Sequence, residues 1–264
     1  MPYTRRMRGL TDNSGGAKVL PLEAAYRTDR GRRRENNEDS LLVDLERGVF
    51  LLADGMGGHK GGEVASSLAV QEAHFYLLGR LGLVQENAEM VRLLREAVLY
   101  AHFRVKERAK SDPALTGMGT TLVVAAPRSE NVVVGHIGDS RAYLVHDGIR
   151  QITRDHTLRS YFAGHAFPAR RHPAPQRTHI LTQAVGTSEE LVPEIHSPAF
   201  YPGDLLLLCT DGLTDMLADE DIAAVLKENS GQLEKAAEAL VEAANNRGGR
   251  DNISVILVRL AQET

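Results

Sequence analysis

The chain has 264 residues, of which 42% are hydrophobic and 25% are charged, a composition typical of a globular protein with a sizeable core. Its 31 Lys and Arg residues against 35 Asp and Glu residues give a formal charge of −4, which excludes a general electrostatic attraction to nucleic acid or membrane surfaces. The apolar runs are too short for a membrane span, no apolar signal segment follows the N-terminal arginines, and one cysteine excludes an internal disulfide, so we expect a cytoplasmic protein.

Strand-like and helix-like patterns alternate in blocks along the chain. Residues 1–20 are predicted to be a flexible arm, and residues 21–264 a single domain. Apolar, β-branched runs bounded by Gly, Asp, Asn or Pro predict strands, and apolar residues at helical spacing predict helices. In chain order these are strands at 40–43 and 49–53, helices at 63–81 and 87–109, strands at 120–126, 132–137, 142–145 and 205–209, helices at 219–228 and 233–245, and a strand at 253–260.

Short polar connections join several of the predicted strands, for example residues 138–141 and 146–148. Connections of this length can join antiparallel neighbours but not parallel ones. The helices come in pairs between blocks of strands, an order that indicates helices packed on the outer faces of one or two antiparallel sheets. We therefore predict the α+β class.

A basic segment near residues 157–180 interrupts this pattern, and we predict that it forms a surface flap. It contains no Asp or Glu, and its prolines oppose a continuous helix. Its cationic side chains are Arg159, Arg170, Arg171 and Arg177. Long irregular loops in compact domains are often functional, so the flap is either a docking site for an anionic partner or a solvated loop without a binding role.

Acidic residues fall at the ends of four predicted strands. Asp54, Asp139 and Asp211 each follow an apolar run, and Asp251 opens the last one. Because the end of one antiparallel strand lies beside the start of its neighbour, these four acids can meet at one edge. An Asp followed by Gly is also a common turn pair, so each position taken alone is more simply explained by a turn.

Clustered carboxylates need positive charge nearby, because burial and like charges both disfavour their ionised forms. With one Cys and no His-rich motif, oxygen ligands favour hard divalent cations such as Mg²⁺ or Mn²⁺. The glycine at position 55 allows close approach of the backbone carbonyl to an ion. Two ions that share a carboxylate would lower the pKa of a bridging water and make it a nucleophile for a phosphoryl centre.

A charged run at residues 34–39 precedes the first predicted strand. Its simplest interpretation is a charged surface turn. Its functional interpretation gives Arg34 a bidentate grip on phosphate, while Glu38 and Asp39 hold water molecules at the metal ions.

These residues belong to a series of motifs that together resemble the metal-dependent protein phosphatases of the type 2C group, in their bacterial branch. The resemblance extends over about residues 24–260. The matching motifs are RENNED at 34–39, ADGMGGH at 53–59, GMGTT at 117–121, GDSR at 138–141, DHTL at 155–158, LTQAVG at 181–186, TDGLTD at 210–215 and RDNISV at 250–255.

The resemblance implies a sandwich of two antiparallel sheets flanked by helix pairs, a four-layer αββα arrangement, and hydrolysis of phosphoserine and phosphothreonine in proteins. It implies that Asp54 bridges two Mn²⁺ or Mg²⁺ ions and that the Gly55 carbonyl binds one of them. By the same resemblance, Asp211 and Asp251 bind the other ion. Asp139 with Asp211 resembles the weaker third-metal position that some bacterial relatives have.

The resemblance also implies roles outside the metal ligands. Arg34 would clamp the phosphate, and Glu38 and Asp39 would orient metal-bound water. The expected partners are phosphorylated proteins, a cognate serine/threonine kinase and its substrates, with no nucleic acid and no membrane span. We expect a monomer.

Three residues bear on competing interpretations. In animal relatives a His that is proposed as general acid stands where this chain has Met56, so the proton donor is unassigned, and His59 is a nearby alternative to water. Cys209 lies inside an apolar run and has Asp215, not Arg, six positions on, which excludes a cysteine-dependent phosphatase. The remaining alternative is a catalytically silent regulator that binds phosphoproteins on the same scaffold.

Overall fold

The computed structural model describes residues 5–6, 21–56, 60–128, 130–163 and 180–261. Its elements in chain order are β1 (Arg5–Arg6), β2 (Leu22–Asp29), β3 (Asp39–Asp44), β4 (Val49–Met56), α1 (Lys60–Leu78), α2 (Asn87–Ser111), β5 (Gly119–Thr120), β6 (Leu122–Pro127), β7 (Val132–Ile137), β8 (Arg141–Val145), β9 (Ile149–Gln151), α3 (Leu158–Ala163), β10 (Glu194–His196), β11 (Leu205–Cys209), α4 (Asp211–Thr214), α5 (Asp219–Glu228), α6 (Leu233–Asn246) and β12 (Ile253–Leu260). Within these segments we find no helix whose length and hydropathy would let it cross a bilayer.

The strands form two antiparallel sheets. The first has the order β1-β2-β12-β11-β8-β9, and the second has the order β10-β7-β6-β4-β3, with β5 paired to β4. The recorded strand pairs are antiparallel, as the short connections predicted. The predicted α+β class is therefore confirmed.

The hydrophobic core lies in three layers that alternate with the sheets. Along β4, Phe50 and Leu52 face the space between the sheets, whereas Val49 and Leu51 face the helices α1 and α2. This alternation follows from the two-residue period of a strand. A third apolar layer packs α4, α5 and α6 on the first sheet through residues such as Leu240. The result is the four-layer αββα arrangement that the resemblance implied.

The strand register brings distant segments to one end of the sandwich. Asp39 at the start of β3 is paired with Asp54 near the end of β4. In the other sheet, Cys209 at the end of β11 is paired with Val255 near the start of β12. The two sheets therefore both contribute residues to the same end.

Several elements differ from the sequence-based expectation. The strand β2 was not predicted, because its sequence LEAAYRTD combines Ala, Glu and Asp, which are weak strand formers. The short elements β9, β10 and α4 were also not predicted. Helix α1 spans Lys60–Leu78 rather than 63–81, so it includes two glycines that helix propensity disfavours at its start and ends before Gly79.

The strand predicted at 120–126 is divided at Thr121. The Thr121 N–H donates to the carbonyl of Asp54 at 2.9 Å, and its Oγ1 accepts from the Asp54 N–H at 2.8 Å. A residue that bonds the backbone of Asp54 from both sides cannot continue the regular ladder. The interruption of the strand at Thr121 therefore holds the backbone of Asp54 in place.

Some predictions fall on residues outside the described ranges. These are most of the predicted arm at 1–20, most of the flap including Arg170, Arg171 and Arg177, and the alternative proton donor His59. Within the arm, β1 pairs with β2. The first residues of the flap form the short helix α3. The next described residue is Ile180, and its carbonyl accepts a hydrogen bond from the Leu158 N–H at 2.9 Å.

Candidate metal centre

Four carboxylates from both sheets surround Asp54. Burial raises the pKa of the Asp54 carboxyl well above its ordinary value of 3.8, and the negative charges of its neighbours raise it further. Those neighbours are Asp39, Asp211, Asp251 and Asp139. The structure therefore brings together the four acids at strand ends that the sequence singled out, and Asp39 with them.

Asp39 faces Asp54 across the β3–β4 pair and is held by hydroxyl groups. Thr210 and Ser254 donate to its Oδ2 at 3.0 and 2.6 Å, and its Oδ1 is buried without a hydrogen-bond partner in the described part of the chain. Burial raises the Asp39 pKa to about 7, and the charges of Asp211 and Asp251 add to this against the two hydroxyl hydrogen bonds. One oxygen of Asp39 is thus fixed and the other is left for a ligand or water.

Asp139 and Asp211 come from different sheets and lie close enough to perturb each other. Asp139 follows β7 after Gly138, which has a φ of +99° that favours glycine at this turn. Burial raises the Asp139 pKa to about 8, and the charge of Asp211 is the next cause. Asp211 itself is the first residue of α4, directly after Thr210.

Asp251 lies before β12 and is paired with Arg34. Nη2 of Arg34 donates to Oδ2 of Asp251 at 2.5 Å, and the Asn252 N–H donates to Oδ1 at 2.8 Å. The Arg34 side chain is 49% exposed, and a guanidinium has five N–H donors, so donors remain for an anion. Arg34 is therefore at the rim of the acidic cluster, with its charge next to the carboxylates.

Asn252 belongs to the motif at residues 250–255, but the sequence analysis assigned no role to it. Its Oδ1 accepts from the Glu38 N–H at 2.8 Å, and its Nδ2 donates to the carbonyls of Arg30 and Asn36 at 3.0 and 2.8 Å. The residue is buried, so each bond satisfies a group that water cannot reach. Asn252 thereby fastens the segment that carries Arg34 and Glu38 to β12.

Gly55 is required by the close approach of two other segments. A Cβ on Gly55 would stand 2.2 Å from the carbonyl oxygen of Gly62 and 2.6 Å from that of Glu38. A Cβ on Gly62 would stand 2.0 Å from Oε2 of Glu38. The two glycines therefore let the start of α1 and the Glu38 side chain reach the acidic cluster.

The donor set fits hard divalent cations. The clustered side chains present carboxylate oxygens, which are the ligands that Mg²⁺ and Mn²⁺ prefer. Their raised pKa values show that the cluster carries more negative charge than its burial favours. Divalent cations would offset the repulsion between the carboxylates. They or their bound water would also supply a partner for Oδ1 of Asp39.

A cleft of about 590 Å³ opens beside this cluster. Asp139 and Asp211 line it together with Arg154 and Arg159, which lie just before and in α3. Within the same cleft, Arg141 is already bound bidentately by Asp155 at 2.9 and 2.7 Å. The cleft therefore combines a cation-binding edge with guanidinium groups that suit an anionic substrate.

Cys209 is a core residue, as predicted. It is fully buried in β11, and burial raises the pKa of its thiol to about 12, so it is not a thiolate nucleophile at neutral pH. Met56 ends β4, and its Cε lies near Gly119. A thioether has no proton to donate, so Met56 supplies no general acid.

Comparison with known proteins gave strong matches over nearly the whole chain. The family model described as Protein phosphatase 2C matches residues 28–247. Protein phosphatase PhpP of Streptococcus pneumoniae is 36% identical over 253 residues, which cover 92% of this chain and 99% of that protein.

Solved structures agree with this similarity. The serine/threonine phosphatase PstP of Mycobacterium tuberculosis superposes with a TM-score of 0.78 at 36% identity, covering 91% of this chain and 99% of that one. A structure of the PstP catalytic domain in complex with two manganese ions superposes with a TM-score of 0.77 at 33% identity, with the same shares covered.

Proposed function

The chain belongs to the protein phosphatase 2C family, and from this membership we propose how its acidic cluster is used. It is a metal-dependent serine/threonine protein phosphatase that hydrolyses phosphoserine and phosphothreonine in proteins with Mn²⁺ or Mg²⁺. The observation that carries the proposal for this chain's own residues is the burial of Asp54 among four other carboxylates. The similarity to named phosphatases favours catalysis over a silent phosphoprotein-binding role.

We assign Asp54, the Gly55 carbonyl, Asp211 and Asp251 to the two ions, and Asp139 with Asp211 to a weaker third position. When bound, such ions make coordinated water more acidic and withdraw charge from a phosphoryl oxygen. Besides burial, the charges of neighbouring aspartates raise the pKa of Asp54 and of Asp139. This effect requires the carboxylates to lie close together, as ligands of shared ions must, and it supports the assignment.

The remaining groups bind and orient. Arg34 stands at the exposed rim, and only its Nη2 has a hydrogen-bond partner among the described residues, so we assign it to the phosphate oxygens, where its planar fork suits bidentate contact. Oδ1 of Asp39 has no hydrogen-bond partner among the residues described, which suits it to accept a hydrogen bond from water. Glu38, held by Asn252 and beside Gly62, is assigned the same water-orienting role.

The partners and setting follow from the same chemistry. Phosphorylated proteins are the substrates, and we propose a cognate serine/threonine kinase as the enzyme that makes them. We propose that the enzyme works as a monomer in the cytoplasm, where one buried free cysteine is stable without a disulfide partner. The basic flap, including Arg170, Arg171 and Arg177, is proposed as a docking site for acidic phosphopeptides.

The test is Mn²⁺-dependent phosphate release from a phosphothreonine peptide. We expect Asp211→Asn to lower kcat/KM by more than about 100-fold, because loss of a ligand exceeds the 10–100-fold typical of outer-sphere changes. Asp147→Asn, which removes a fully exposed carboxylate in the turn between β8 and β9, is the control and should hydrolyse as the wild type does. Equal release by wild type and Asp211→Asn, or release that persists in excess chelator, would contradict the assignment.

A further inference from the structure

A second cluster of titratable side chains lies away from the carboxylates, where β10 pairs with β7. Glu194 is directly opposite His136, and His196 is opposite Val134. Because side chains two residues apart share a face, Glu194, His196 and His136 point to the same side of the sheet. Val134 belongs to the core between the two sheets, so this side is the interior of the sandwich.

One nitrogen of each of the two rings lacks a hydrogen bond in the described part of the chain. Nδ1 of His136 and Nε2 of His196 are both buried, and neither has a hydrogen-bond partner within the ranges the structure describes. His136 is fully buried. One donor atom from each of His136, Glu194 and His196 lies within 4.8 Å of the other two. Buried polar atoms are rarely left unpaired, so such a group points to a ligand.

The hydrogen bond on the far side of His136 fixes its tautomer. Nε2 lies 2.9 Å from the carbonyl oxygen of Arg154 and must donate to it, because a carbonyl only accepts. Burial lowers the pKa of His136 to about 4, so the ring is neutral at physiological pH. Its unprotonated Nδ1 therefore presents a lone pair to Glu194 and His196.

A third histidine has the opposite arrangement. Nδ1 of His156 accepts from the Gly138 N–H at 3.2 Å, which leaves the proton of the neutral ring on Nε2. That Nε2 lies 3.4 Å from Oε1 of Glu194. At this distance His156 makes no direct hydrogen bond to the carboxylate, but the proton on Nε2 lies toward it, so His156 is suited to orient Glu194 and not to bind the ion.

We propose that His136, Glu194 and His196 form a binding site for a divalent transition-metal ion of the zinc class, separate from the acidic centre. Two imidazoles and one carboxylate are an established ligand set for zinc and leave a position open for water. Ligand distances of about 2.0–2.1 Å require a slightly tighter cluster, and β10 is an edge strand that can move inward.

The position of the site suggests what the ion does. His156 exchanges two hydrogen bonds with Gly138, the residue before Asp139, and its carbonyl accepts from the Thr182 N–H at 2.8 Å. Leu158 lies where the chain enters the flap, and Thr182 lies just after the chain leaves it. An ion held by Glu194 would therefore stiffen both the turn that carries Asp139 and the base of the flap.

The experiment measures Co²⁺ binding by visible absorption in chelator-treated protein. Cobalt bound to imidazole in a site of low coordination number absorbs far more strongly than cobalt surrounded by six oxygens. The two sites are therefore distinguished by their spectra, and the Asp54→Asn variant is used as parent to weaken Co²⁺ binding at the acidic centre as well. The test variants are Glu194→Gln and His196→Gln, which change half-buried side chains on the edge strand.

His74→Gln is the matched control, because His74 in α1 forms another histidine–carboxylate pair, with Asp44 of β3 at 2.8 Å. Strand β3 is at the opposite edge of the sheet from β10. We expect one strongly absorbing Co²⁺ per chain in the parent and in the control, displaced by Zn²⁺. We expect at least about 10-fold weaker binding in both test variants. Absence of the strong band in the parent, or unchanged titrations in the test variants, would overturn the proposal. If one test variant fails to fold, the other decides.

Discussion

The Asp54 carboxyl is buried among four other carboxylates, and Asp39 faces it directly across the strand pair. At the other end of β3, Asp44 has the opposite balance. Burial acts to raise the pKa of Asp44, but hydrogen bonds from His74 and Arg47 outweigh it, and the net pKa is lowered. One carboxylate thus opposes folding when it is ionised, and the other favours folding.

Replacing Asp54 by Asn should separate stability from function. We expect Asp54→Asn to abolish Mn²⁺-dependent hydrolysis and yet to raise the melting temperature of chelator-treated protein, because it removes a buried like charge. For a chain of this size, about 1 kcal/mol of unfolding free energy corresponds to about 2–4 °C. Thermal melts with and without Mn²⁺ give both results.

Asp44→Asn is the control for that change, since it lies on the paired strand and removes the same charge. It should lower the melting temperature, because a neutral amide replaces the charged acceptor of the hydrogen bonds from His74 and Arg47. A destabilised metal-free Asp54→Asn protein would contradict the electrostatic interpretation of the cluster.

At this scale the sequence predicted acids better than it predicted their supports. Asp54, Asp139, Asp211 and Asp251 stand out because a carboxylate beside a strand has a distinctive chemistry. Asn252 does not stand out, because its hydrogen bonds to the carbonyls of Arg30 and Asn36 exist only in the folded chain and leave no pattern in the sequence. The same holds for the hydroxyls of Thr210 and Ser254 on Asp39.

Among the elements, the short helix α4 carries Asp211 into the centre and depends on Gly212. A Cβ on Gly212 would stand 1.9 Å from the carbonyl oxygen of Asn252, so α4 lies directly against the chain that enters β12. A larger residue must push these two elements apart. The two aspartates next to the contact, Asp211 and Asp251, would separate with them.

Gly212→Ala is therefore expected to raise the Mn²⁺ concentration needed for half-maximal activity by about 10-fold or more, at a cost of about 1–3 kcal/mol in unfolding free energy. Activity titrated against Mn²⁺ and urea denaturation measure the two effects. Gly79→Ala is the control, because among the residues that the structure describes no atom lies within 4 Å of its added Cβ. An unchanged Mn²⁺ requirement in Gly212→Ala would show that the contact does not position Asp211.

Short elements such as α4 could not be predicted from sequence patterns, whereas long ones could. The long amphipathic helices and the apolar strands were predicted to within a few residues, because their periodicity is repeated over many positions. The strand β2 was missed although it pairs with β12 along its whole length, because its neighbours rather than its own side chains select the extended state. The single turn of α4 leaves no periodicity to detect.

For the molecule as a whole, the raised pKa values predict how its stability varies with pH. Without metal, Asp39 and Asp139 hold protons up to about pH 7 and about pH 8, whereas the unfolded chain releases them near 3.8. The folded state then binds more protons than the unfolded state, so the free energy of unfolding falls as pH rises from about 4 to about 8.

Urea denaturation in chelator across this range measures the slope. We expect Mn²⁺ to reduce or reverse it, because cations bind the ionised carboxylates of the folded state and stabilise it by mass action. The double variant Asp39→Asn with Asp139→Asn should flatten the slope in chelator. Stability that rises with pH in the metal-free wild type would contradict this electrostatic description.

The pairing of β2 with β12 has a consequence for how the domain can be joined to other chains. Asp29 and Ile253 pair at the end near the carboxylates, while Leu22 and Leu260 pair at the opposite end, about 23 Å away at the usual rise per residue of a strand. There the Ala261 N–H donates to the Pro21 carbonyl at 2.7 Å. A tether or fusion partner that continues from β12 would thus leave from the end of the sandwich remote from the reacting phosphate. The chain before β2 instead returns along that strand through β1, with Arg6 opposite Glu23 and Arg5 opposite Ala24.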